Sequence, residues 1–322
     1  MPVAFIAGFV FDYLTLTRID RLYDNLVVLA YVLIAGLIIV SLYYFKDGRF
    51  TFLPIALLFV FGNLFSAFLV FYSRSASLAA SWPFILILIG LLVGNDFFKA
   101  FYSKLVFRLS VYYFILFSYF IFVVPLVVGR MGGGIFVLSG AVSLAVIGLF
   151  VHALRKIDAG ALDSVKRRLA WSIGAVFLAV NVFYFTNLIP PIPLSLKEAG
   201  VYYGVERTSD GAYETEDTDR RWYEVFHRYK RMPLDKGGEI YVFSSVFAPT
   251  KLRTNIVHDW QYYDSELDEW QSVTRIEFAV VGGRDGGYRG FSKKSSLSSG
   301  YWRANIETPN GLLIGRVKFL VP

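Results

Sequence analysis

Hydrophobic positions along the chain fall into two regimes that meet at the proline-rich stretch 190–193. Upstream are six apolar runs, at 26–45, 51–72, 75–95, 109–129, 131–154 and 169–188, none of which contains Asp, Glu, Lys or Arg. A bilayer crossing takes about 20 apolar residues, so each run predicts a membrane-spanning helix. Tyr43, Tyr44, Trp82, Trp171 and Tyr184 lie near run ends, where interfacial aromatics collect. The connections are short, which predicts antiparallel neighbours in one bundle. Residues 2–17 are also largely apolar but include Asp12. They lack a basic leader and a small-residue cleavage motif, and suggest an interfacial or re-entrant segment, or else a seventh span.

Downstream the period changes to two. Residues 201–207 predict a first strand. The stretch 239–247 (EIYVFSSVF) is apolar on both faces and predicts a central, covered strand. In 255–263, Ile256, His258, Trp260 and Tyr262 share a face. In 275–281, Ile276, Phe278 and Val280 point inward. In 301–308, Trp302, Ala304 and Ile306 point inward while Arg303 and Glu307 point outward, and Leu313, Val317, Phe319 and Val321 continue the alternation on a last strand. Asn310-Gly311 predicts a tight type I′ hairpin, and 264–269 a longer one. Residues 222–230 (WYEVFHRYK) fit a helix face or a strand equally well. The expected architecture is an all-α membrane bundle of six spans, possibly seven. An all-β antiparallel sandwich, immunoglobulin-like in the loose sense, should follow it. The corresponding division is an N-terminal segment (1–25), a membrane domain (26–189), a proline-rich linker (190–200) and the sandwich (201–322).

Charge gives this division a direction. Residues 1–194 hold 14 Lys+Arg and 7 Asp+Glu, whereas 195–322 hold 18 of each, so the entire net charge of +7 belongs to the membrane half. A nucleic-acid footprint would need a basic face on a folded domain, so nucleic acid is not an expected partner. Lys46, Arg49, Lys99, Lys104, Arg108, Arg155, Lys156, Lys166, Arg167 and Arg168 mark the first, third and fifth loops. Only Arg18, Arg21, Arg74 and Arg130 mark the N-terminal segment and the other loops. The excess predicts cytoplasmic odd loops, with the N-terminus and the β-patterned half outside. The chain has no cysteine, which excludes disulfides, thiolate catalysis and Cys-based metal sites.

Candidate chemistry is sparse. The stretch 282–294 (GGRDGGYRGFSKK) lacks the spacing of a Walker or dinucleotide loop. Its glycines suit a backbone anion nest, with Arg284, Arg289 and Lys293 adding charge and Tyr288 a stacking face. Equally, it suits a glycine-rich bulge that carries the chain from one sheet to the next. Trp270 follows a loop and is the tryptophan expected to be exposed, as a stacking platform for a sugar. His258 with Asp259 raises a hydrolase reading, against a packed imidazole beside Trp260. Only His227 could join His258 in a metal site, so no metal or other cofactor is expected. Glu214, Glu216, Asp217 and Asp219 lack calcium-loop spacing and read as a solvated run. In the membrane half, Asn63, Asp96 and Asn181 are the polar groups around which a transport or lipid-handling site would form. The alternative is helix–helix hydrogen bonding by the asparagines.

The segments SVFAPTKL (245–252), HDWQYYD (258–264), VGGRDGGYRGFSKK (281–294) and GYWRANIETPNGLLIGRVKF (300–319) resemble a bacterial family that carries a C-terminal domain of unknown function, number 2914. The strong resemblance covers 240–321. It implies a bacterial envelope protein; with the topology read from charge, the expected location is the inner membrane, multi-pass, with the β-patterned half extracytoplasmic. Its expected partners are the lipid bilayer and an envelope glycan, anionic polymer or envelope protein. The family supplies no activity and no catalytic residues.

Overall fold

The computed structural model describes residues 13, 21–45, 50–75, 78–95, 101–102, 104–191, 193–209, 212–216, 229–234, 238–250, 252–283 and 286–322. The expected N-terminal segment 2–17, apart from Tyr13, lies outside this set, as do the ambiguous stretch 222–228, Asp96, His227 and Arg284. The chain divides into a helical unit that ends at Pro193 and a β-rich unit that begins at Leu194.

Among the described residues seven helices form elements of the first unit. They are α1 (Leu22–Tyr44), α2 (Leu53–Ser75), α3 (Leu78–Gly94), α4 (Leu105–Val128), α5 (Gly133–Ile157), the short α6 (Ala159–Asp163) and α7 (Lys166–Phe185). Five of these, α1, α2, α4, α5 and α7, are long and apolar enough to cross a membrane. The third apolar run yields only the 17 residues of α3, with Pro83 inside. At 1.5 Å per residue this is about 25 Å, short of a hydrocarbon core of about 30 Å.

The helices carry apolar residues on their outer as well as inner faces. Leu37, Leu149, Trp171 and Leu178 are 67%, 71%, 73% and 64% exposed. A helix apolar all round belongs in a protein core or a bilayer, and these outer faces meet no protein. Small residues let the inner faces approach closely. A Cβ on Gly36 of α1 would sit 2.7 Å from the Tyr112 hydroxyl of α4, and one on Gly140 of α5 2.9 Å from the Phe177 ring of α7. Ser110 of α4 donates to Ser172 of α7 at 2.7 Å.

The β-rich unit comprises β1 (Ser195–Tyr202), β2 (Gly204–Arg207), β3 (Tyr213–Glu216), β4 (Lys230–Arg231), β5 (Glu239–Phe247), β6 (Arg253–Asp264), β7 (Glu269–Val281), β8 (Tyr288–Ser295), β9 (Gly300–Glu307) and β10 (Leu313–Val321). One sheet has the order β1-β5-β8, a second β4-β10-β9-β6-β7, and β2 pairs with β3. Pairing is antiparallel except for the short β10–β4 contact. As its pattern predicts, β5 is central and largely buried. The first strand begins six residues before the expected Val201, because Leu196 and Glu198 already pair with Val246 and Ser245 across a bulge. Likewise β7 starts at Glu269 rather than Arg275. The β6–β7 ladder runs to Asp264↔Glu269, where the Asp264 carboxylate accepts from the Glu266 and Leu267 amides and closes a four-residue loop.

The last hairpin pairs as expected but not through a type I′ turn. The Gly311 amide donates to the Thr308 carbonyl at 2.9 Å, so Pro309 and Asn310 are the central residues. Only Gly311 has positive φ, at 81°. Proline sets the φ of the first central position, and a following left-handed glycine then returns the chain to the ladder. Val201, Ile240 and Val242 of the three-stranded sheet join Trp260, Trp302, Ala304, Phe319 and Val321 of the five-stranded sheet in one buried cluster, together with Met232.

Candidate binding face of the β region

Between the sheets lies a polar strut. His258 is fully buried. Its Nε2 is 2.8 Å from the Ser244 hydroxyl and its Nδ1 2.8 Å from the Ser292 hydroxyl. Ser292 also accepts from Trp260 Nε1 at 3.0 Å. Each ring nitrogen therefore has a hydroxyl partner, and either neutral tautomer is satisfied. Burial pushes the imidazole pKa down to about 3. A serine beside a histidine suggests a nucleophile and its base, but Ser244, Ser292 and His258 are all sealed from substrate. Asp259 follows His258 on a strand and points to the opposite face, so it cannot orient the ring. The hydrolase reading fails on this geometry, and His258 is a packed imidazole.

Asp259 belongs instead to the other face of the five-stranded sheet, where alternate positions of four neighbouring strands are polar. From β7 come Trp270, Ser272 and Arg275, and from β6 Asp259 and Gln261. Arg303, Asn305 and Glu307 stand on β9, and Arg316 and Lys318 on β10. Glu307, expected to point outward into solvent, is only 5% exposed, and Asp259 2%. Long side chains on the flanking strands cover them. Arg275 Nη1 lies 2.9 Å from Glu307 and 3.9 Å from Asp259, so one guanidinium serves two carboxylates. Burial raises the Glu307 pKa, with the Asp259 charge adding to it and Arg275 opposing it. Asp259 also accepts from Gln261 and Ser272.

Towards the other end of this face the charge changes sign. Arg303 Nε donates to Gln261 Oε1 at 2.6 Å, and Arg316 Nε to Asn305 Oδ1 at 2.6 Å. The Arg303 guanidinium lies 4.3 Å over the Trp270 ring, which in turn packs against Tyr263 at 5.2 Å. Tyr301, 45% exposed, stands beside it and packs on Tyr229 at 4.9 Å. The pKa of Arg303 is lowered to about 10, first by burial and then by Arg316, and burial lowers that of Arg316.

Of the residues expected to form one site, Trp270 stands apart from Tyr288, Arg289 and Lys293, which share one strand. Trp270 stands on this polar face, half-buried under Arg303 rather than free. Tyr288, Arg289 and Lys293 lie on β8, the edge of the other sheet. Trp270 and the turn 282–287 occupy opposite ends of β7, about 36 Å apart at 3.3 Å per residue. That turn carries the chain from the five-stranded to the three-stranded sheet. Gly287, at φ 82°, packs where a Cβ would be 2.6 Å from Ser245 Oγ. Lys293 pairs with Glu239 at 3.0 Å, and its neighbours beyond Gly287 form regular strand. In the helical unit, Asn63 and Asn181 each donate to the carbonyl four residues back in their own helix, at 2.8 Å, and among the described residues no interhelical bond is made by either. Asn95 does so: it donates to the Leu58 carbonyl at 2.7 Å and accepts from Tyr102 at 2.8 Å. A cavity of about 10 Å³, room for one water, is lined by residues including Ile121, Pro125, Phe136 and Tyr184, and by neither Asn63 nor Asn181. Among the described residues no three of His, Cys, Asp and Glu converge as metal ligands.

Most of the polar face falls within one segment of the chain, from β6 to β10. Residues 253–321 match the family model described as Protein of unknown function (DUF2914). The DUF2914 segment thus contains Asp259, Trp270, Arg275, Arg303, Glu307 and Arg316, and leaves out the helices and β1–β5. No curated protein matches the chain. Among solved structures, an immunoglobulin-like protein from Pseudomonas aeruginosa aligns at 12% identity over 39% of this chain and 97% of its own, with a TM-score of 0.23. An alkylpurine DNA glycosylase from Pseudomonas fluorescens, bound to DNA with an abasic-site analogue, aligns at 12% identity over 94% of this chain and 99% of its own, with a TM-score of 0.25. Scores this low carry no inference about fold or ligand.

Sequence patterning missed the polar face because alternation marks Arg303 and Glu307 only as outward. The available signal is that charged or amide residues occupy the outward positions of four paired strands at once.

Proposed function

We propose that the protein is a multi-pass membrane protein that holds a β-sandwich outside the cytoplasm and uses it to bind an envelope polymer or a partner protein. In this reading α3 is a sixth span, and the two sheets around the shared core are the layers of the sandwich. The excess of Lys and Arg in the odd loops supports the orientation. The observation that carries the binding reading is the polar face. It places arginines, amides and aromatics side by side on one sheet, and aromatic residues and arginine are enriched where partners bind. The expected location is a bacterial inner membrane, on the resemblance of the C-terminal segment. A transport reading gains nothing from Asn63 and Asn181, which are satisfied within their own helices.

Site-specific photocrosslinking in intact cells tests the binding reading. A photoreactive residue at Tyr301 is expected to give a discrete adduct. An adduct from Tyr288 alone would move the site to β8. Absence of an adduct from both positions would contradict a binding role.

A further inference from the structure

We infer that Arg303 and Arg316 form a preorganised site for an oxyanion, a carboxylate or a phosphodiester, carried by the extracytoplasmic ligand; the inference rests on the binding reading and names its chemistry.

Each guanidinium is fixed through Nε by a neutral amide, Gln261 for Arg303 and Asn305 for Arg316. Trp270 holds the plane of Arg303 from the side. Among the described residues no carboxylate is in ion-pair reach of either arginine, and Arg275 occupies the nearby Asp259 and Glu307. Two half-buried cations thus stand on adjacent strands, in diagonal register, Arg316 opposite Asn305 and Lys318 opposite Arg303. Diagonal positions are about 7–8 Å apart at the backbone, within mutual reach of long side chains. Partial burial disfavours both charges and Arg316 lowers Arg303 further, while Asp259 favours the charge on Arg303 and Glu307 that on Arg316. The ion-pair partner of both acids is nevertheless Arg275. The Nε bonds use one donor of each guanidinium, and a guanidinium has further donors on its terminal amino groups. A guanidinium fork of that kind matches the two oxygens of a carboxylate or phosphate. Amide partners orient the fork without cancelling its charge, which an aspartate would do. Lys318 beside the pair adds to the positive end of the face. Tyr301 at its rim offers an apolar surface for whatever carries the anion.

The test uses the full chain in nanodiscs of uncharged phosphatidylcholine and three soluble polymers: polygalacturonate for the carboxylate, a glycerol-phosphate polymer for the phosphodiester, and dextran as the neutral comparison. Calorimetry is expected to show binding of at least one anionic polymer and none of dextran. The one that binds identifies the oxyanion. Charge-assisted hydrogen bonds contribute about 1.5–3 kcal/mol each, so Arg303→Gln or Arg316→Gln should weaken binding by about tenfold or more. Arg207→Gln, on β2, should leave it unchanged. Arg303→Lys and Arg316→Lys keep the charge and lose the fork; folded by tryptophan fluorescence, they should still bind several-fold more weakly. If an anionic polymer binds and none of the four arginine variants weakens it, this site is wrong while the binding reading stands. If dextran binds as well as the anionic polymers, the oxyanion assignment is wrong. If no polymer binds although Tyr301 gives a crosslinked adduct in cells, the oxyanion class is again wrong and a different ligand occupies the face.

Discussion

His258 shows how far burial can alter one side chain. An imidazole that is neutral when folded and protonates near 6.5 when unfolded binds fewer protons in the native state at mildly acid pH. Its contribution to stability is therefore full above about pH 6.5 and declines as pH falls towards 3. Urea unfolding followed through Trp260 and its neighbours should lose up to about 1.4 kcal/mol per pH unit across that window from this group alone. His258→Gln should flatten the slope. At neutral pH, Ser292→Ala should cost more than Ser244→Ala, because Ser292 serves both His258 and Trp260. Each orphaned buried group costs about 1–3 kcal/mol. Thermal melts of the two variants give the comparison. The sequence placed His258 on a face with Trp260 correctly. It could not show the serines, which lie 14 and 34 residues away and meet the ring only when the sheets close.

At the scale of elements, the turns and close approaches decide most. Gly287 turns the chain between sheets at positive φ, with no room for a Cβ beside Ser245. Gly287→Ala should lower unfolding stability by at least about 1–2 kcal/mol, the cost of forcing a side chain into the left-handed region. In the helical unit Gly36→Leu should separate α1 from α4 and lower the detergent melting temperature, whereas Gly148→Leu, with open space around it, should not. Element type was largely readable from pattern: helices from unbroken apolar runs, β9 from alternation, and β5 from β-branched and aromatic residues on both faces. Element ends were not. Strands β1 and β7 each begin six residues early because pairing with a neighbour extends a strand past its own hydrophobic pattern. The outer face of β9 was readable as polar, but its burial arises from arginines on other strands. That is a tertiary effect no single stretch of sequence contains.

For the whole molecule, composition alone divides the chain: the segments between the apolar runs of the helical half carry all the net positive charge, and a β region of zero net charge follows. The orientation depends on the rule that basic loops remain in the cytoplasm. The binding proposal needs the β region outside, where an envelope polymer would meet the Arg303–Arg316 end of its polar face. Because the chain has no cysteine, single-cysteine labelling with a membrane-impermeant maleimide in intact cells tests this directly. Ser265→Cys, in the exposed β6–β7 loop, should label in intact cells. Ser164→Cys, exposed between α6 and α7, should label only after permeabilisation. The opposite pattern, with Ser164→Cys labelled and Ser265→Cys protected, would place the β region in the cytoplasm and contradict the account.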